Sequence, residues 1–336
     1  MLPALLQKLG IKQGGKKPFE LATEKDLYYC YRLLLRREPD REGWEFWTRL
    51  IADHGLTLDA LVDSFLHGDE FRAQQEANAR PRLVELDEFK IFVHLGDFFI
   101  GRVIANGHIY EAHVTRQVRD LLKPGDTFLD IGANIGYFTL LAAALVGPQG
   151  KVIAFEPRAD NCKLLQDSIA ENGFRNIDLH PYAVAEREQT FVIDASGANT
   201  NGRIVDYSPA STAIEVPPHL VKAVTLDGFL AEVADIDLIK MDIEGAEPRA
   251  WQGMQGVVQR YRPAIITEFS PSLIQLTSHA TAESFLDLIH AQGYEIFILH
   301  RTRAKDSVPA GKETILQTLA DSGLTHLDLL ALPAAG

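Results

Sequence analysis

Residues Thr127–Gly136 read T-F-L-D-I-G-A-N-I-G, and the fold can be worked out from this stretch. The apolar run Phe128–Ile131 is typical of a buried strand, and the helical run Tyr137–Val146 follows the glycine-rich residues. This order predicts a strand, a tight turn and a helix whose first N–H groups face a ligand. Gly132 and Gly136 are expected to let the backbone approach that ligand where a Cβ would block it.

The turn has the pattern D-x-G-x-N-x-G from Asp130 to Gly136, which differs from the G-x-G-x-x-G of dinucleotide-binding turns. A second apolar run ends in Glu156, about 20 residues later, where an acid can accept hydrogen bonds from a ribose. S-adenosylmethionine has no phosphate and carries a sulfonium and an ammonium. An acid at the strand end suits this cation better than a diphosphate. The alternative is a tight strand–helix turn without a ligand.

Composition excludes several classes of protein. The chain has 336 residues and a formal net charge of −13, which argues against broad binding to nucleic acids or anionic membranes. The two cysteines provide neither a disulfide framework nor a metal cluster. No apolar run approaches the length of a membrane-spanning helix, and the run Leu2–Leu6 is too short for a secretory signal. A cytoplasmic protein is expected.

The first 80 residues have a helical pattern. Thr23 is a candidate N-cap with Asp26 three residues later, and we expect the aromatic residues of this region to form a core, namely Trp44, Phe46, Trp47, Phe65 and Phe71. The sequences Y-R-L-L-L-R-R-E-P-D-R-E-G-W-E-F-W and F-L-H-G-D-E-F resemble a small helical module of bacterial glycan-modifying and surface-layer proteins. The resemblance implies recruitment or substrate presentation. The polar stretch Ala73–Pro81 is the expected domain boundary.

After a hairpin expected from Lys90–Val93 and Phe98–Ile104, and a helix expected over Glu111–Leu122, strands and helices alternate. This predicts an α/β fold with a doubly wound parallel sheet, and the irregular insertion Gly197–Pro218 is read as a lid, a substrate contact or a plain long loop. The expected strands are Thr127–Ile131, Lys151–Phe155, Ile177–Tyr182, Ile236–Asp242, Ala264–Phe269, Tyr294–Leu299 and Leu327–Leu332. The expected helices are Tyr137–Val146, Ala159–Asn172, Leu226–Val233, Ala246–Trp251 with its continuation to Arg260, and Ala282–Gln292.

The segment D-L-I-K-M-D-I-E-G-A-E, Asp237–Glu247, is the second informative stretch. Lys240 and Asp242 are two residues apart on a strand, so both side chains point to the same face. The acids that follow also suit a helix N-terminus, and Glu247 fits either interpretation. Asp242 and Glu268, at adjacent strand ends, are also compatible with a shared divalent cation, although no residue is assigned as a metal ligand.

These motifs resemble the FkbM family of S-adenosylmethionine-dependent methyltransferases. The resemblance rests on F-L-D-I-G-A-N-I-G-Y-F-T, V-I-A-F-E-P, L-D-L-I-K-M-D-I-E-G-A-E and P-A-I-I-T-E-F-S-P, and spans about Ile109–Gly293. It implies a class I methyltransferase, Rossmann-like domain over residues 81–336, with a mostly parallel seven-stranded sheet whose last strand is antiparallel. The resemblance implies a cofactor site made of Asp130, Gly132, Ala133, Asn134, Gly136, Glu156, Pro157, Ala183 and Asp242.

The expected activity is O-methylation of a hydroxyl, on a sugar of a bacterial glycan or on a related metabolite. A hydroxyl is a poor nucleophile, so the acceptor oxygen needs alignment and a base. Base candidates are Asp242, Glu244 and Glu268, and Lys240 can orient or stabilise the oxygen; His219 is the less favoured base because it reads as an exposed loop residue. A nicotinamide-dependent oxidoreductase and a non-catalytic glycan-binding scaffold are the alternatives.

Overall fold

The structure, a computed structural model, describes residues 21–194, 203–206, 219–301 and 308–334. The chain divides into two compact units, Met1–Arg80 and Pro81–Gly336. Among the described residues, each helix is too short or too polar to cross a bilayer.

The first unit is helical. Its helices are α1 (Glu24–Tyr29, continued by a π-helical turn, Cys30–Leu34), α2 (Arg41–His54), α3 (Leu58–Leu66) and α4 (Asp69–Ala79). Thr23 and Asp26 form the reciprocal capping box that their spacing predicts, because each side chain bonds the other residue's backbone N–H.

Most of the predicted core aromatics of this unit are at least partly buried, but Phe46 is 42% exposed and was wrongly placed in the core. The division between the two units falls after Arg80, within the predicted boundary stretch Ala73–Pro81, and α4 continues through most of that stretch as far as Ala79.

The second unit is built on a seven-stranded sheet that confirms the predicted α/β, doubly wound architecture. Its strands are β3 (Thr127–Ile131), β4 (Lys151–Phe155), β5 (Ile177–His180), β10 (Leu238–Met241), β11 (Ala264–Phe269), β12 (Tyr294–Leu299) and β13 (Leu327–Pro333). They lie in the order β12-β13-β11-β10-β3-β4-β5. All neighbouring strands are parallel except β13, which is antiparallel to both β11 and β12, as predicted for the last strand.

Helices cover both faces of this sheet, so successive side chains of a strand enter opposite cores. Leu129 of β3 belongs to the core on one face, whereas its neighbour Phe128 belongs to the core on the other. The helices of the unit are α5 (Gly101–Gly107), α6 (Ala112–Leu121), α7 (Tyr137–Val146), α8 (Ala159–Asn172), α9 (Leu226–Phe229), α10 (Glu247–Gln252), α11 (Gln255–Tyr261), α12 (Pro271–Leu273, continued by a π-helical turn, Ile274–Ser278), α13 (Ala282–Ala291) and α14 (Lys312–Ser322).

A second, four-stranded sheet was not predicted. Its strands, in the order β6-β9-β7-β8, are β6 (Ala183–Val184), β7 (Gln189–Asp194), β8 (Arg203–Asp206) and β9 (His219–Val224). Most of the predicted insertion Gly197–Pro218 lies outside the described residues, but 203–206 form strand β8, so this part is not the irregular loop that we expected. His219 is the first residue of β9.

The hairpin preceding the large sheet was assigned to the wrong partner. Strand β2 (Lys90–Val93) pairs with β1 (Arg82–Glu85), and not with Phe98–Ile104. The latter run instead enters α5 through a turn whose N–H groups bond to the Asp97 carboxylate.

Candidate active site

A cavity opens at the carboxyl ends of strands β3, β4 and β10, where ligands bind in open parallel sheets. Most of its wall comes from the turns after these three strands. The remainder comes from Ile100, Tyr110, the segment Tyr182–Val184 and Ile204 of β8. Predicted site residues in the wall are Gly132, Ala133, Asn134, Glu156, Pro157, Ala183, Lys240, Asp242 and Glu244.

Glu156, directly after β4, is fixed in the cavity wall by two backbone donors. The N–H groups of Asn134 and Arg158 each donate to one carboxylate oxygen, both at 2.8 Å. Glu156 is only 4% exposed, and burial raises the pKa of its carboxyl to about 7. A carboxylate offers about four acceptor positions, so Glu156 can still accept hydrogen bonds from a diol.

The two glycines of the first turn serve the packing of the protein itself. Both have a positive φ, +86° at Gly132 and +95° at Gly136. A Cβ on Gly132 would overlap the backbone oxygen of Asp242, and one on Gly136 would overlap the side chain of Leu165. The expectation that these glycines make room for a ligand is therefore wrong, because the missing Cβ positions face other parts of the chain.

Asp130 lies behind the cavity wall and does not line the cavity. Its side chain is 1% exposed, and its Oδ2 accepts a 2.6 Å hydrogen bond from the Thr139 hydroxyl in the first turn of α7. Burial raises the pKa of this carboxyl. Its Oδ1 has no hydrogen-bond partner among the described residues. This position favours an indirect contribution, in which Asp130 fixes the helix that follows the turn.

Lys240 and Asp242 form an ion pair in the cavity wall, with 3.0 Å between Nζ and Oδ2. The ammonium also lies 4.8 Å from the centroid of the Phe138 ring. Burial alone would lower the pKa of Lys240, but three carboxylates outweigh it and keep the pKa above its ordinary value, those of Asp242, Glu111 and Asp130. Burial alone would raise the pKa of Asp242, but the Lys240 ammonium holds it below the ordinary value. The pair is therefore charged at neutral pH.

Glu268 lies on β11, next to Asp242, but does not line the cavity. Burial and then the carboxylate of Asp242 raise the pKa of Glu268 far above its ordinary value. Glu268 is consequently protonated at neutral pH, and it hydrogen-bonds to Asp242. A protonated acid outside the cavity is a poor general base, so the geometry does not favour the catalytic role predicted for Glu268.

Oxygen atoms of Asp242, Glu247 and Glu268 lie within 4.8 Å of one another, a spacing that could accommodate a divalent cation. However, Glu247 accepts a 2.9 Å hydrogen bond from the Ile243 N–H, and it is 1% exposed. Only Asp242 of the three lines the cavity. An ion held by all three carboxylates would lie behind the wall, so the site does not suit a metal that contacts an acceptor.

Two residues that sequence reasoning missed complete this side of the cavity. Tyr110 lines it, and its hydroxyl bonds to the half-buried Glu111 side chain, whose pKa is raised to about 8, first by burial. Glu111 also has a positive φ of 42° at the N-terminus of α6. An acid at the start of a helix is ordinarily explained by a favourable contact with the helix dipole, so the sequence pattern did not identify Glu111 as a site residue.

Comparison with known proteins identifies the domain that contains this cavity. Residues 130–296 match the family model described as the methyltransferase FkbM domain. The second unit carries an FkbM methyltransferase domain. The matched range of this FkbM domain contains Glu156, Lys240 and Asp242, whereas Tyr110 and Glu111 lie before it.

Two curated relatives are similar to parts of the chain. The 31-O-demethyl-FK506 methyltransferase FkbM of Streptomyces tacrolimicus is 30% identical over 169 residues, which are 40% of this chain and 61% of the relative. The AMB antimetabolite synthetase AmbE of Pseudomonas aeruginosa is 25% identical over 213 residues, which are 53% of this chain and 10% of the relative. The chain thus spans less than two thirds of the length of either relative.

Among solved structures, the methyltransferase FkbM of Methylobacillus flagellatus aligns with a TM-score of 0.39 and 15% identity, over 90% of this chain and 58% of that chain. Fibrillarin of Aeropyrum pernix, in complex with natively bound S-adenosyl-L-methionine, aligns with a TM-score of 0.37 and 13% identity, over 65% of this chain and 73% of that chain.

Proposed function

We propose that the FkbM domain binds S-adenosylmethionine and transfers its methyl group to a hydroxyl oxygen of a carbohydrate or a related small molecule. The observation that carries the proposal is a single cavity walled by two fixed features, the Glu156 carboxylate and the Lys240–Asp242 pair. The first suits the ribose hydroxyls of the methyl donor, and the second suits an acceptor hydroxyl.

Of the candidate bases, Asp242 is best placed to remove the proton of the acceptor hydroxyl. S-adenosylmethionine, when bound, supplies an activated methyl group, so the protein has to align the acceptor oxygen and remove its proton. Asp242 accepts the hydrogen bond of the acceptor hydroxyl, and it takes that proton as the oxygen–carbon bond forms and the carbon–sulfur bond breaks. Lys240 holds Asp242 in place and stabilises negative charge that develops on the oxygen. Glu244 also lines the cavity and is the second base candidate.

The choice of an oxygen acceptor draws on the relatives and on the sequence. The name of the Streptomyces tacrolimicus relative specifies a methyl group at an O position. The proposal that the acceptor contains a sugar rests on the helical module, to which we assign recruitment or presentation of the acceptor. The buried free thiols Cys30 and Cys162 fit the cytoplasmic location that we propose.

The test is calorimetric titration of S-adenosylmethionine and, in parallel, of NADH into the wild-type chain and Glu156→Ala. We expect S-adenosylmethionine to bind and the variant to bind it about tenfold to hundredfold more weakly, because hydrogen bonds to charged groups contribute about 1.5–3 kcal/mol. Glu232→Ala removes an exposed glutamate and is the matched control. Binding of NADH alone would replace this proposal with the oxidoreductase, and binding of neither would favour the scaffold.

Asp242→Asn separates catalysis from cofactor binding. We expect the variant to bind S-adenosylmethionine but to lose methyl transfer by about 100-fold or more, because a positioned base contributes about 10²–10⁴-fold. The measurement is single-turnover transfer of labelled methyl to an accepted hydroxyl compound. Turnover at the wild-type rate would exclude Asp242 as the base.

A further inference from the structure

One short segment combines part of the cavity wall with an unusual exposure of large apolar side chains. Phe98, Phe99, Val103 and Ile109 are 57%, 63%, 40% and 52% exposed. All four lie within twelve consecutive residues that include α5. We call these four side chains the mouth patch. Single exposed apolar residues are ordinary, whereas several large ones close together in the chain and next to a cavity favour a binding surface.

The protein holds the mouth patch on a fixed turn. Asp97 is 5% exposed, and its carboxylate accepts hydrogen bonds from the N–H groups of Phe99 at 3.0 Å and Ile100 at 3.2 Å. A Cβ on Gly101 would overlap the backbone of His94, so the start of α5 packs closely on the chain beneath it. The guanidinium of Arg102 lies 4.0 Å from the centroid of the Phe98 ring. Exposure of these phenylalanines is therefore built into an ordered turn.

The same segment leads directly into the cavity. Ile100 follows Phe99 in the chain, is 5% exposed and lines the cavity. Tyr110 follows Ile109 and also lines the cavity, and its hydroxyl bonds to Glu111. At both ends of the segment, an exposed apolar residue is adjacent in sequence to a cavity residue. A molecule that inserts one hydroxyl group into the cavity can thus extend its remainder over the mouth patch.

We propose that the mouth patch binds the apolar part of an amphipathic acceptor, in which the methylated hydroxyl is attached to an alkyl chain or an apolar ring system. This inference rests on the proposed methyl transfer and specifies its substrate class. A purely polar sugar would leave four large apolar side chains in water. The chain's net charge of −13 disfavours the two other occupants of an apolar surface, an anionic membrane and a second copy of the same chain.

The experiment compares two neutral probes that share one sugar, octyl β-D-glucopyranoside below its micelle concentration and methyl β-D-glucopyranoside. Binding to the full chain saturated with S-adenosylmethionine is measured by calorimetry, for the wild type, for a variant carrying both Phe98→Ser and Phe99→Ser, and for Phe46→Ser. Phe46 is 42% exposed in the first unit, so its replacement makes the same chemical change outside the mouth patch.

We expect the octyl probe to bind the wild type at least tenfold more tightly than the methyl probe, and the double variant to lose this preference. Phe46→Ser should retain it, and all three chains should bind S-adenosylmethionine equally. Equal binding of the two probes by the wild type, or an unchanged preference in the double variant, would overturn the inference. A chain that fails to bind S-adenosylmethionine at all would instead contradict the proposed function.

Two further measurements separate the competing occupants. Co-sedimentation with phosphatidylcholine vesicles that depends on Phe98 and Phe99 would show that the mouth patch binds a membrane surface, and it would overturn the proposal that the patch binds the acceptor. A dimer in light scattering that dissociates in the double variant would assign it to an interface between two copies, with the same consequence. Wild-type chains that are monomeric and do not sediment with vesicles support the proposal.

Discussion

At the scale of single residues, burial changes the pKa values of the carboxyl groups in and around the site. Burial raises the pKa of Glu156 to about 7 from an ordinary 4.5. Its ionised form is therefore disfavoured in the fold, and the folded state loses stability relative to the unfolded state as pH rises from about 4.5 to about 7. At pH 8 the cost is about 3 kcal/mol, since one pKa unit is about 1.4 kcal/mol.

Glu156→Gln removes this titration, and we expect a pH-dependent difference in the free energy of unfolding. Relative to the wild type, the variant should gain up to about 3 kcal/mol of stability between pH 5 and pH 8. Its amide nitrogen cannot accept one of the two backbone N–H bonds, and that loss is the same at both pH values. Chemical unfolding of both chains at the two pH values measures it. Glu232→Gln, at an exposed position, should show no such difference. A stability gap that is equal at both pH values would contradict the buried titration.

Gly132 illustrates how a correct motif can be given the wrong reason. Its φ of +86° disfavours any side chain, and a Cβ would also overlap the backbone of Asp242. We expect Gly132→Ala to destabilise the fold by more than about 2 kcal/mol, since the left-handed conformation alone costs about 1–2 kcal/mol. Gly173→Ala is the matched control, because Gly173 has the left-handed conformation, with a φ of +67°, but open space around the Cβ position. Similar losses in the two variants would show that backbone strain alone is responsible.

At the scale of elements, most strands of the large sheet were predictable because they are short apolar runs bounded by turn residues and buried on both faces, whereas β5 at the sheet edge is only partly buried. The hairpin error arose because Phe98–Ile104 is also a short apolar run, and periodicity cannot separate a strand from a turn followed by a helix at this length. Only the Asp97 hydrogen bonds reveal the turn. The small sheet was missed because its strands lie around a stretch rich in turn residues.

The π-helical turn Ile274–Ser278 is another element without a sequence signal, and it holds the segment after Asp242 in place. The hydroxyls of Thr277 and Ser278 donate to the backbone oxygens of Glu244 at 2.9 Å and Gly245 at 2.6 Å. A Thr277→Val, Ser278→Ala variant loses both bonds, each contributing about 1 kcal/mol. We expect methyl transfer to slow several-fold with unchanged affinity for S-adenosylmethionine. Ser322→Ala, which removes two hydrogen bonds of one hydroxyl at the end of α14, is the control. An equal loss in both variants would point to general destabilisation.

At the scale of the whole molecule, the separate roles proposed for the two units can be tested directly. The described residues that line the cavity lie between Ile100 and Ala246, so the second unit supplies the wall of the site. The first unit has a separate hydrophobic core of its own. A chain of residues 81–336 should therefore fold cooperatively and bind S-adenosylmethionine within about twofold of the full chain, because units with their own cores tend to fold independently. If the helical module presents the acceptor, the truncated chain should show a higher KM for the acceptor with an unchanged kcat. Loss of S-adenosylmethionine binding on truncation would mean that the first unit is part of the cofactor site, which no residue of the described cavity wall indicates.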